Sequence, residues 1–277
     1  MDTIIGLGNA GCNIVDMFAQ YSQYKTYKLD VGLDRTKTTF PLEQHQKFED
    51  YEEKLPSLQH FFRGVRGEIL FVMAGAGKVS SCALSILKYL KNKCQITVLY
   101  IQPELSLLNE SQKQLEQMGY NILQQYARSG VFKEIILVSN SQIEEIAGGL
   151  TIKDYFIKIN ETIVATLHMI NIYAHNNSVI DTFEQKPVGV RISTFGICDP
   201  KTDEEKLFFS LDNVSDMVYY YAYNKKEIET NLELFNKIKQ TINNKKEIVK
   251  RVTYGVYETD YESNYVYCFQ STPFIQQ

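Results

Sequence analysis

The chain has 277 residues, 44% of them hydrophobic and 22% charged, with a formal net charge of −4. That is enough for one large core or two smaller ones, and the acidic balance excludes a general nucleic-acid role, because neutralising phosphates needs a basic surface. No run approaches the roughly 18 apolar residues of a membrane span, and the opening residues lack the regions of a signal peptide. No membrane partner is therefore expected, and a cytoplasmic location is.

Residues 4–7 read as a buried strand that runs through Gly6-Leu7-Gly8-Asn9-Ala10-Gly11 into a helix over 12–20. A strand, a glycine-rich turn and a helix start place backbone N–H groups where phosphate oxygens bind. The spacing G-x-G-x-x-G suits dinucleotide and mononucleotide folds alike. Asp30 and Asp34 stand near the distance at which a dinucleotide fold keeps its ribose-binding acid. Strands then alternate with helices: a strand at 68–73, a helix at 80–91, a strand at 96–101, a helix at 107–129, a strand at 134–138 and a short helix from 142. This alternation predicts an α/β fold with a parallel sheet covered on both faces.

The longest helical pattern runs over 151–176 with one apolar stripe, and at 1.5 Å per residue it spans roughly 35–40 Å. It closes a nucleotide-binding domain over 1–176. A smaller α/β domain over 177–277 is predicted from a strand at 188–195, a Tyr-rich strand at 214–222 and a helix at 227–243. Strands at 252–258 and 265–270 are expected to form an antiparallel pair across the polar turn between them. The five cysteines are scattered, and the four histidines form no cluster, so no metal-binding side-chain set is expected.

Five stretches, in order and spacing, resemble the tubulin/FtsZ superfamily, and its divergent plasmid and phage members most. Gly8, Asn9, Ala10, Gly11, Cys12 and Asn13 look like its first glycine-rich loop. Residues 70–83 align without a gap to the stretch that ends in its G-G-G-T-G-T-G signature. Of the signature glycines only Gly77 remains, with Ser80 and Cys82 at the threonine positions. Gly75, Ala76, Gly77, Lys78, Val79, Ser80 and Ser81 are then the phosphate-loop candidates, Lys78 supplying a charge. Asn140, within Val138-Ser139-Asn140-Ser141-Gln142-Ile143, matches a turn that follows a strand. Asn160 matches an asparagine that reads guanine, whose edge suits an amide's acceptor and two donors. Asp181 and Glu184 resemble a catalytic carboxylate loop, at 179–185.

The resemblance implies a cytoskeletal protein with GTP or GDP and Mg²⁺ as ligands. It also implies a head-to-tail homopolymer, with GTP hydrolysed at the subunit interface. From Asn160 to Asn176 the helix covers roughly 24 Å, so Asp181 and Glu184 are expected to act on the nucleotide of the next subunit. Heterologous contacts that do not close generate filaments. An adaptor or cargo protein cannot be named from these residues. Phe48-Glu49-Asp50-Tyr51-Glu52-Glu53-Lys54 is acidic where relatives carry a glycine-rich γ-phosphate loop, which leaves a non-hydrolysing structural relative as the alternative. An NAD(P)-dependent oxidoreductase, with Asp30 or Asp34 on the ribose, is the third reading.

Overall fold

The computed structural model describes residues 1–277, which divide into two units, 1–164 and 165–277. In the first unit the strands are β1 (Thr3–Leu7), β2 (Lys25–Val31), β3 (Thr39–Leu42), β4 (Gly67–Ala74), β5 (Cys94–Gln102) and β6 (Glu134–Ser139). They lie in the order β3-β2-β1-β4-β5-β6, and every pair is parallel. The central strands read as near-continuous apolar runs, Ile69 to Met73 and Val98 to Ile101 all being buried, as a sheet covered on both faces requires.

The helices of this unit are α1 (Gly8–Phe18), α2 (Glu49–Glu53), α3 (Ala83–Leu90), α4 (Glu110–Arg128) and α5 (Asn140–Ala147). α1 buries Ile14, Val15 and Phe18. α4 starts at a capping box in which Asn109 and Gln112 satisfy one another's backbone N–H groups. Four features depart from the sequence expectation. The helix expected from residue 80 begins as a 3-10 turn, Val79–Cys82, before α3. β2 and β3 were not expected at all: β2 is half-exposed and carries two lysines and an aspartate, while β3 holds Pro41 at the sheet's edge, where a missing N–H is tolerated. α2 forms in the acidic stretch 48–54, for which no element was expected.

The long helix α6 (Tyr155–His175) has 21 residues, about 31 Å at 1.5 Å per residue, and the division between the units falls within it. It starts later than expected because Thr151 and Asp154 close a turn first: Asp154 N donates to Thr151 Oγ1 at 3.2 Å and Thr151 Oγ1 to Asp154 Oδ2 at 2.7 Å.

The second unit contains β7 (Ile180–Asp181), β8 (Ile192–Cys198), β9 (Glu205–Leu207), β10 (Asp216–Asn224), α7 (Lys225–Thr230), α8 (Leu234–Lys246), β11 (Arg251–Thr259) and β12 (Tyr265–Thr272). Its strands run β8-β12-β10-β11-β7, with β9 beside β8. The expected antiparallel pairing of the last two strands does not occur. β10 lies between them, parallel to β11 and antiparallel to β12. Seven of the nine β10 residues are buried, so this strand needs a neighbour on each side. The connection between β11 and β12 passes its end, pinned where Asn224 N donates to Asn264 Oδ1 at 2.9 Å and Asn224 Nδ2 to Tyr261 O at 2.7 Å. The single helix expected over 227–243 is two, because Asn231 Oδ1 accepts from Glu233 N at 3.1 Å and turns the chain between α7 and α8. Tyr219, Tyr221, Ile238 and Ile242 share this unit's core.

Candidate functional site

In a parallel sheet every strand ends at the same edge, and ligands of such folds bind outside the carboxyl ends. The residues expected to bind nucleotide fall at that edge. Gly8 follows β1, Gly75 to Ser81 follow β4, and Asn140 follows β6. The register pairs Gly6 with Val72, Ala74 with Ile101, and Gln102 with Ser139. At about 4.8 Å per strand step, β1 and β6 lie about 14 Å apart across the sheet.

The glycines of the first loop have separate tasks. Gly8 has φ +70°, the turn from strand to helix. A Cβ on Gly6 would stand 2.4 Å from Gly11 O, and one on Gly11 would stand 2.5 Å from Val72 O, so these two let α1 lie against β1 and β4. The first turn of α1 has no side-chain cap and no acidic residue. Its N–H groups and the positive end of the helix dipole are thus uncompensated by the chain itself, which is how a helix start receives phosphate. Asn9 and Asn13 are exposed, Ala10 is half-buried, and Cys12 is buried. The Cys12 thiol points to Gly6 O and Leu29 O, and burial pushes it up to about 12. Its side chain belongs to the packing of α1, so Cys12 offers a ligand its backbone alone.

The second loop is built differently. Gly75 is required because a Cβ would stand 2.3 Å from Tyr100 Oη, and Ala76 holds φ +61°. Ser80 Oγ donates to Ala74 O at 2.7 Å. Ser81 Oγ lies 2.6 Å from both Phe48 O and Lys78 O and shares its one proton between them. Lys78 Nζ donates to Gln46 O at 2.9 Å, and Val79 opens the 3-10 turn. The polar side chains of this loop therefore tie the segment before α2 to the sheet edge. Ser85 Oγ adds a bond to Glu52 Oε1 at 2.9 Å.

Beneath the loop, Tyr100 Oη donates to Glu116 Oε1 at 3.2 Å, and Glu116 is 5% exposed. Burial raises the Glu116 carboxyl, while hydrogen bonds from Tyr100 and Gln102 oppose the rise. A cavity of about 290 Å³ opens beside this pair, walled by Met73, Ala83, Leu84, Leu115 and Ile122 with Glu49 and Glu53 at its side. It was not foreseen, since its walls come from three separated segments.

Asn140 is the first residue of α5 and Asn160 lies one turn into α6; both are buried. Asp30, the candidate for a dinucleotide's ribose, accepts from Val31 N at 2.8 Å, and burial raises its carboxyl.

Asp181 and Glu184 lie in the second unit. Asp181 is in β7, opposite Gly255 of β11, and accepts from Ser178 Oγ and, at 3.3 Å, from Phe183 N. The loop around it is held by backbone bonds, Val179 N to Val256 O at 2.7 Å and Thr182 N to Tyr254 O at 2.9 Å. Arg251 donates to Glu184 O at 3.1 Å and Gln185 O at 2.7 Å while its Nε bonds the buried Asp216 carboxylate. Asp181 and Glu184 are exposed, as are Val179, Ile180 and Phe183. No group of three or more His, Cys, Asp or Glu side chains is placed to hold a metal ion, and no helix is long and apolar enough to cross a membrane.

A parallel six-stranded sheet with loops at its carboxyl edge, a long helix, and a second mixed-sheet unit are the parts of a tubulin/FtsZ fold, and the chain has that fold. It is similar to CetZ from Methanosaeta thermophila strain DSM 6194, with a TM-score of 0.73 at 15% identity over 98% of this chain and 86% of that one. It is also similar to a GTPγS-form protofilament of TubZ from Bacillus thuringiensis serovar israelensis (0.74, 16%, 98% and 86%) and to an FtsZ dimer from M. jannaschii (0.70, 11%, 98% and 87%). No family model and no curated protein matches the sequence.

Proposed function

We propose that this chain is a cytoskeletal protein that binds a guanine nucleotide at the carboxyl edge of its parallel sheet, assembles head-to-tail and hydrolyses GTP at the subunit interface. The observation that carries the reading is the uncapped, acid-free start of α1 behind Gly8, on the sheet edge where Asn140 also opens α5. The similar TubZ structure is a GTPγS-form protofilament. The α1 start takes the phosphates, and Asn140 and Asn160 take the sugar and base. Asn13, exposed just over one turn into α1, joins them at the sugar or base in this reading. Mg²⁺ bound with the phosphates would spread their charge and would need one or two protein oxygens at most.

α6 continues without a break from Asn160 to His175, about 22 Å at 1.5 Å per residue, which favours contact of the 179–185 loop with the next subunit's nucleotide. Asp181 and Glu184 then orient the attacking water. Asp181→Ala is expected to retain nucleotide binding and assembly and to lose turnover. Mixed in excess with wild type it is expected to poison neighbouring sites. Activity merely proportional to the wild-type fraction, measured as phosphate release, would contradict catalysis in trans.

One observation favours assembly without hydrolysis as a second reading. Lys78 and Ser81 are engaged by the 46–48 backbone, and three exposed glutamates of the adjoining segment, Glu49, Glu52 and Glu53, stand close by. This leaves the γ-phosphate region without a free cation from the second loop.

A further inference from the structure

Two patches at opposite edges of the first unit's sheet carry opposite charge. At the carboxyl edge, residues 43–54 hold five carboxylates, Glu43, Glu49, Asp50, Glu52 and Glu53, against Lys47 and Lys54. This segment is fixed to the loop after β4 by the Ser81 and Lys78 bonds and to α3 by the Ser85 bond. Glu49, Glu52 and Glu53 stand at helical positions i, i+3 and i+4, which share one face, and all three are exposed.

At the amino edge, β4 and β5 start side by side with Gly67 opposite Cys94. The segments that lead into them, 57–66 and 88–93, contribute Arg63, Arg66, Lys88, Lys91 and Lys93 and no carboxylate. An open pocket of about 620 Å³ lies there, lined by Ser57, Gln59, His60, Arg63, Arg66 and Lys93. Arg66 is aimed by its bonds to Arg63 O and Val65 O at 3.1 and 2.7 Å, and Lys93 by its bond to Tyr89 Oη at 2.7 Å. Every lining side chain can donate a hydrogen bond, in a chain whose net charge is −4. β4 has eight residues, so the acidic and basic ends stand about 26 Å apart along the sheet.

We propose that the basic pocket at the amino edge receives the acidic face of α2 from the next copy of this chain, giving the filament an electrostatic longitudinal contact. The occupant is a second copy because the matching charge sits at the opposite end of the same strands. A head-to-tail repeat brings such ends together, and like-charged alternatives repel. The inference rests on the assembly reading above and names the surface that would make it work. Neutralised pairs of this kind act chiefly on association and register, and they weaken with salt.

The test uses two charge-reversed full-length chains, Arg63→Glu with Arg66→Glu and Lys93→Glu, and Glu49→Arg with Glu52→Arg and Glu53→Arg, with folding checked by thermal melting. The readout is the critical concentration for assembly, followed by light scattering with GTPγS. Each variant alone presents like charges at both ends, and its critical concentration is expected to rise about tenfold or more. An equimolar mixture restores opposite charges at every contact and is expected to assemble near the wild-type concentration. For wild type, raising salt from 50 to 300 mM is expected to raise the critical concentration several-fold. Variants that assemble alone like wild type, a mixture no better than either part, or salt-independent assembly of the wild type would each overturn the inference while the assembly reading stands. A wild-type protein that never assembles would overturn both.

Discussion

The two glycine-bearing loops at the carboxyl edge, after β1 and after β4, meet the same structural demand in opposite ways. The first leaves its polar groups open: Gly8 turns the chain, Gly6 and Gly11 bring α1 against the strands, and the helix start has neither cap nor acid. The second closes on itself, with Ser80, Ser81 and Lys78 all hydrogen-bonded to backbone carbonyls of the chain. Phosphate affinity from backbone N–H groups is therefore expected to reside in the first loop. The second acts as a clasp that holds α2, and with it the acidic face, over the sheet edge.

The sharpest way to break that comparison is Gly11→Ala, whose Cβ would meet the Val72 carbonyl at 2.5 Å. Because backbone, not a flexible side-chain end, lies in the way, the expected loss is about 3 kcal/mol of stability, seen as a fall in the thermal midpoint. Gly8→Ala is milder, since the nearest atom to its Cβ is 3.7 Å away and the cost is the left-handed backbone, about 1 kcal/mol. Its nucleotide affinity, measured by fluorescence titration, is expected to fall several-fold while the fold persists.

Ser81→Ala removes the hydroxyl that Phe48 O and Lys78 O share and is expected to cost about 1 kcal/mol. If the second loop is a clasp, nucleotide affinity changes about twofold at most, whereas a larger drop would make Ser81 a direct ligand. Smallest is the pH effect of Glu116→Gln. Burial raises the Glu116 carboxyl, so the folded protein keeps a proton that the unfolded chain gives up. The stability from this group is fully present below the ordinary carboxylate range and is lost as pH rises through the raised folded value. Gln keeps a partner for Tyr100 and does not titrate, so its thermal midpoint is expected to gain on wild type as pH rises from 4 to 7.

The alternation of apolar strands and amphipathic helices made the parallel sheet of the first unit legible, because buried strands must be apolar on both faces and residues 69–73 and 98–101 are. β2 escaped notice for the converse reason: half-exposed, with Lys25, Lys28 and Asp30, it lacks either an apolar run or clean alternation. The pairing of β11 and β12 was misread because local turn chemistry names a hairpin, while the choice of neighbour is made by the buried faces of β10, far away in sequence. At the site, the glycine spacing pointed to the first loop. That Cys12 turns into the packing, and that Lys78 and Ser81 bond backbone more than 30 residues earlier, depends on tertiary contacts that no spacing within the loop encodes.

Light scattering of the purified protein with GTP, GDP, ATP and a non-hydrolysable GTP analogue plus Mg²⁺, with phosphate release followed in the same samples, tests the central claim most directly. The expected result is scattering with GTP and its analogue above a critical concentration, accompanied by phosphate release with GTP alone. Assembly without release would make the protein a non-hydrolysing relative, and neither response to any guanine nucleotide would contradict the account.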